Sequence, residues 1–205
     1  MLVLGVISGA AVIGSLVYSQ THIPVYQGRT VREWMVDLGD PDKTKKGNAE
    51  EALTDSGAKS VPYLLRVLYS DKEDPKVRSY AARALGFIGS PSKPALPTLL
   101  KLAGDEPAPL GLEALFALGK IPVDSAKVLP LFMRKMNDKD PKIRRRAAIN
   151  LSRMDLSAKQ AVPLLFAACS DRDKGVRMAA TNTLIELGVP PPPAQSTESS
   201  SPPPP

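Results

Sequence analysis

What the chain has little of narrows its chemistry before anything else does. It carries one cysteine and one histidine in 205 residues. A single thiol excludes an intramolecular disulfide, and because the one imidazole lies near the end of an N-terminal apolar segment, no His–His or His–Cys ligand spacing and no nucleophilic triad is expected. His22 sits near the end of an N-terminal apolar run, and Cys169 lies in Leu164-Leu165-Phe166-Ala167-Ala168-Cys169, where a small buried thiol is expected. Aromatic residues make up only 5% of the chain while Ala and Leu are abundant, which suits closely packed helices better than sheet. No catalytic residue, metal ligand or cofactor site is expected.

What is present is a repeat. The stretch Asp74 to Ile88 recurs at an interval of 33 residues. Val77, Ala81, Leu85 and Ile88 shift onto Leu110, Ala114, Leu118 and Ile121, then onto Ile143, Ala147, Leu151 and Met154, then onto Val176, Ala180, Leu184 and Leu187. A period of this size marks a stack of helical pairs in which each pair buries its apolar face on the next. The first helix of each pair is expected to begin at a proline flanked by apolar residues, at Pro62, Pro97, Pro130 and Pro163, since proline is tolerated in a first turn. An acidic turn follows at Asp71, Asp105, Asp138 or Asp171, and then the second helix. The spacing therefore predicts an all-α fold over residues 30–188: a right-handed α-solenoid of about five helical pairs, the first degenerate. In that first pair Thr30 is an N-cap with Glu33 as its capping-box partner, Trp34 anchors the open end of the core, and a polar stretch from Lys43 to Asn48 precedes a short second helix at Ala49 to Leu53.

Both ends differ from this middle. Leu2 to Ser19 form an uncharged, mostly apolar run that as a helix would extend roughly 27 Å and just span a bilayer core, so residues 1–19 are expected to be a signal-anchor or signal peptide and 20–29 a linker. Gly5 and Gly9 provide a GxxxG spacing of the kind that pairs such helices. Arg29 and Arg32 pull the downstream side toward the cytoplasm, yet a lone apolar segment ahead of a whole domain usually translocates it; the domain is expected to be extracytoplasmic. Residues 189–205, rich in Pro and Ser, are expected to be a disordered tail with polyproline II tendency.

With the repeats laid out, a family can be named. Apolar-Pro-x-Leu-Leu helices, an Asp-containing turn and Val-Arg-x-x-Ala-Ala-x-x-Leu-Gly helices resemble HEAT repeats of the bacterial type similar to the bilin-lyase HEAT-like family. The Tyr26-Gln27-Gly28-Arg29 entry ahead of Trp34 is similar to that of exported bacterial HEAT-repeat proteins. The resemblance implies a ladder in which Asp74, Asp140 and Asp173 pair with Arg78, Arg144 and Arg177 between repeats. Pro107 and Gly111 stand at those places in one unit, where the ladder should be interrupted.

Function is sought on the side of the second helices that faces away from the core. At 100° per residue Lys76, Ser79, Tyr80, Arg83 and Phe87 share one stripe, followed by Leu112, Glu113 and Phe116, then Lys142, Arg145, Arg146, Ile149 and Arg153, then Met178, Asn182 and Glu186. Tyr80, Arg83, Phe87, Leu112, Phe116, Arg145, Arg146, Ile149 and Arg153 are the candidate protein-binding residues, because aromatics and arginines supply contact area and charge-assisted hydrogen bonds. Lateral packing between neighbouring helices is the competing explanation for the same residues. The net charge of +6 concentrates in residues 126–160, with ten basic residues against three acidic ones. The expected function is a non-enzymatic, membrane-tethered scaffold that binds a protein or peptide on its concave face. The alternatives are a bilin-lyase-like enzyme subunit, which the resemblance implies, and nucleic-acid or anion binding through the basic third repeat, which is disfavoured for an exported protein.

Overall fold

Helix starts in this chain are set by two residue types, aspartate and proline. The computed structural model describes residues 23–106, 108–154 and 156–193. Within them ten helices form: α1 Val31–Asp37, α2 Lys43–Ser56, α3 Val61–Tyr69, α4 Pro75–Ile88, α5 Leu96–Asp105, α6 Leu110–Leu118, α7 Ser125–Lys135, α8 Pro141–Ser152, α9 Val162–Ala168 and α10 Lys174–Glu186. The side chains of Asp42, Asp74, Asp124, Asp140 and Asp173 each accept a backbone N–H from the first turn of the helix they precede. Such a cap is worth about 1 kcal/mol. Pro62, Pro75, Pro97, Pro141 and Pro163 stand in first turns, where the N–H they lack has no helical partner. Thr30 and Glu33 form the expected capping box on α1.

Three local expectations are corrected. Residues 25–29, placed in a linker, form with Thr30 a small hairpin in which strands β1 (Val25–Tyr26) and β2 (Arg29–Thr30) pair antiparallel across Gln27 and Gly28, both at positive φ as a tight primed turn requires. Lys43 to Asn48 is not a break but the opening of α2, because Asp42 caps it and lysines are good helix formers on an exposed face. The first helix of the fourth pair begins at Ser125 rather than at Leu129-Pro130, since Asp124 supplies a cap five residues earlier; Pro130 is then interior to α7. Among the described residues no helix is long and apolar enough to cross a membrane. The apolar run expected to be an anchor, and the tail beyond Pro193, lie outside the described residues.

The pairs stack as the period requires. The second helices α2, α4, α6, α8 and α10 pack side by side in chain order, and each first helix covers its own second helix. First helices meet their neighbours mainly through the 3-10 turns 57–59, 90–95 and 156–161. The stack is therefore tighter on the second-helix side, which makes that side concave. The repeated core positions explain the close spacing: Ala81, Ala114, Ala147 and Ala180 are fully buried, with Leu85, Leu118, Leu151 and Leu184 beside them. Gly86 goes further, since a Cβ there would come within 2.9 Å of the Ala117 Cα. Gly86→Val should lower stability by about 2 kcal/mol through overpacking of α4 on α6; a urea midpoint equal to the parent's would contradict this contact.

The implied Asp–Arg ladder is also corrected. Asp74, Asp140 and Asp173 are occupied as caps, and the arginines reach other acceptors. Arg78 donates to Leu68 O, and Arg177 to Asp171 O and Arg172 O. Arg144 does form an inter-repeat pair, but with Asp171, through Nε–Oδ2 at 2.8 Å and Nη2–Oδ1 at 2.7 Å. At the unit where Gly111 stands in the second helix, α6 starts without a side-chain cap. Two other buried rungs connect the later second helices. Asn150 Nδ2 donates to Leu115 O at 2.7 Å, and Thr183 Oγ1 to Ala148 O at 2.9 Å, the same bond one repeat on. Cys169 is half-buried with its Sγ 3.6 Å from Thr181 Oγ1.

Candidate functional site

The concave face is built by diagonal contacts between consecutive second helices, and these contacts change character from one repeat to the next. Between α4 and α6, Arg83 Nε donates to Glu113 Oε2 at 2.8 Å, an ion pair in which both side chains are largely shielded. Between α6 and α8 the equivalent residues are Phe116 and Arg146, and the guanidinium lies 5.1 Å from the ring centroid. Between α8 and α10 they are Ile149 and Ala179. The small alanine fills so little of the space that a groove of about 400 Å³ opens there, lined by Arg145, Ile149, Lys174, Met178, Asn182 and Glu186 among others. Ion pair, cation on aromatic, open groove: the face loosens toward the C-terminal end of the stack.

The predicted site residues divide accordingly. Phe87 and Phe116 meet with ring centroids 5.2 Å apart and planes tilted at 59°, a favourable edge-on geometry. Both are half-buried, as is Leu112 against the core. For these three, lateral packing accounts for much of their surface. Tyr80 is half-buried too, against the turn after α1, where a Cβ on Gly39 would overlap its hydroxyl. Ser79, placed on the outer stripe, is buried instead and donates to Lys76 O, because Ser79 sits where α4 meets its neighbours at close range. Arg145 and Arg153 are exposed; Arg153 donates to Gly119 O at 3.2 Å. Arg146 and Ile149 are half-buried at the centre of the face.

Sequence reasoning missed two things. The offset of 30 residues between Arg83 and Glu113 is the diagonal between adjacent second helices, and it would have revealed that Arg83 is already paired. It also gave Met178 no special weight. That side chain is 56% exposed at the edge of the groove, the most exposed apolar residue of the stripe.

Electrostatics single out Arg146. Burial pushes its guanidinium down from the usual arginine value; Glu113 opposes the shift, while Arg153, Arg83 and Arg145 add to it. Elsewhere the buried basic groups have carboxylates: Arg144 has Asp171, and Lys135 has Asp138 at 3.2 Å. Arg144 and Lys135 are thus internally compensated, whereas Arg145, Arg146 and Arg153 have no salt bridge among the described residues.

A sequence model of HEAT repeats matches residues 31–119 and 96–184, which together span most of the chain. No curated protein matches. Among solved structures, the complex of CpcE and CpcF of phycocyanin lyase from Nostoc sp. PCC7120 is similar over 75% of this chain and 96% of that one, at TM-score 0.58 and 23% identity. A designed armadillo repeat protein in complex with the peptide (KR)4 is similar over 88% of this chain and 87% of that one, at TM-score 0.51 and 17% identity. Kap95p, from a structure with RanGDP, is similar over 76% of this chain but only 25% of that one, at TM-score 0.52 and 17% identity. At these identities the likeness is one of fold.

Proposed function

We propose that this chain, which belongs to the HEAT-repeat family, is a non-enzymatic scaffold that binds a protein or peptide along the concave face of its second helices. The observation that carries the proposal is the diagonal series: the first contact closes as an ion pair, the second sets Arg146 on an aromatic ring without a carboxylate, and the third opens a groove with Met178 exposed at its edge. Rigid stacked helices hold such dispersed contacts in a fixed array, so little ordering entropy opposes binding. Structures of the same fold carry a peptide or a protein partner, as with the designed armadillo protein and (KR)4 or Kap95p and RanGDP. The apolar run from Leu2 to Ser19 would hold the scaffold at a membrane, with the solenoid on the extracytoplasmic side. Protease protection of the full chain in intact cells tests that placement.

The decisive test of the binding face is charge reversal at exposed positions. Arg145→Glu with Arg153→Glu should leave the melting temperature within a degree or two, since both side chains are exposed. It should abolish recovery of the partner by the full-length protein. Undiminished recovery would overturn the proposal. A bilin-lyase-like subunit role has the fold of the phycocyanin lyase complex in its favour; an absorbance change on mixing the protein with a bilin would support it.

A further inference from the structure

The diagonal contacts that organise the concave face also define the chemistry of what fits it. In the first of them a carboxylate, Glu113, neutralises Arg83 across the helix boundary. In the next, the aromatic Phe116 takes the place of the arginine and Arg146 the place of the glutamate. A guanidinium over a ring gains only about 0.5–2 kcal/mol, and the ring leaves every N–H edge of the guanidinium without an anionic acceptor. Arg146 is half-buried, has Arg145 beside it in α8 and Arg153 at the helix C-cap, and feels the Glu113 carboxylate, already engaged by Arg83. Arg146 on the α6 side of α8, Arg145 on its groove side and Arg153 at its C-cap thus line this end of the face with no salt-bridge partner among the described residues.

On the other flank of the same helix lies the groove, with Ile149 and Met178 as its apolar elements. The two flanks of one helix are separated by about 10 Å, which an extended chain covers in about three residues. Resting on the concave-face proposal above, we infer that the occupant is an acidic peptide segment lying in extended form across α8, with a carboxylate bidentate on Arg146 and an apolar side chain about three residues away in the groove beside Met178. Arg145 and Arg153 flank the carboxylate and steer it electrostatically. Planar arginine and carboxylate match in a two-bond fork, so the contact has direction as well as charge.

The experiment uses the full chain and three fluorescein-labelled peptides of one design, Glu-Ser-Ser-Leu repeated three times, with Glu replaced by Gln or by Lys in the second and third, read by fluorescence anisotropy. The acidic peptide should bind at least about tenfold tighter than the Gln peptide and weaken with salt. Arg146→Ala should lose about tenfold or more. Arg153→Glu and Met178→Asp, at exposed positions that do not threaten folding, should each lose several-fold. Replacing Leu by Ser in the acidic peptide should cost a similar factor. Equal binding of the Gln peptide, preference for the Lys peptide, or no anisotropy change up to about 1 mM acidic peptide would overturn the inference. So would a single-stranded oligothymidylate that binds more tightly and is weakened by the same variants, which would assign the patch to nucleic acid. If the acidic peptide fails while Arg145→Glu with Arg153→Glu still abolishes recovery of the partner, only the acidic class falls. If that variant also retains the partner, the concave-face proposal falls with it.

Discussion

Arg144→Ala should destabilise the protein by about 3 kcal/mol, more than any other single surface-connected change in the stack. The side chain is only 8% exposed and its partner Asp171 only 14%. The guanidinium also donates to Asp138 O and Lys139 O, so it ties the turn of its own repeat to the turn of the next. Removing it leaves two carbonyls without their donor and a shielded carboxylate without its cation. The double variant Arg144→Ala with Asp171→Ala should lose less than the sum of the singles, as a direct pair requires. Acid sensitivity gives an independent check. Arg144, chiefly by hydrogen bonding, holds the Asp171 carboxyl below the usual carboxylate range. A group whose folded pKa is depressed contributes stability above its unfolded value, about 3.9, and loses that contribution as pH falls through the folded value. The stability gap between parent and Arg144→Ala should therefore be widest near neutral pH and narrow below about pH 4. A gap independent of pH in urea titrations would show that the ion pair is not its source.

Leu118→Ala should cost a similar amount, about 3 kcal/mol, by a different route. Leu118 is 2% exposed in α6, which packs against α4 on one side and α8 on the other and is covered by α5. A cavity there weakens two inter-repeat interfaces at once. In a stack where each unit touches only its neighbours, that lesion divides the array, so the denaturant transition should broaden as well as shift. Leu187, at the C-cap of the last second helix with no described repeat beyond it, is only half-buried, and Leu187→Ala should cost well under half as much. Equal losses at the two positions would contradict nearest-neighbour stacking.

The fold was legible because the period repeats small buried residues at fixed places, and alanines at positions such as 81, 114, 147 and 180 specify a close helix row whatever covers it. The helix faces were legible for the same reason, except at Ser79, where a polar side chain bonded to its own helix can be buried at a close approach. Less legible was which polar partner each side chain chooses. Asp140 and Asp171 look alike in the chain, but one caps α8 and the other accepts Arg144, a choice made by three-dimensional distance. The candidate site was half legible. Its residues were found by periodicity, while the distinction between Arg83, already neutralised, and Arg146, not neutralised, depends on a diagonal across two repeats.

Docking on the concave side is tested most directly by site-specific photocrosslinking in the full-length protein. A photoreactive residue at Met178, exposed on α10 beside the groove, should crosslink the partner, and one at Phe166, exposed on the first helix α9, should not. Crosslinks from position 166 and none from 178 would place the partner on the other side of the stack and contradict binding by the second helices.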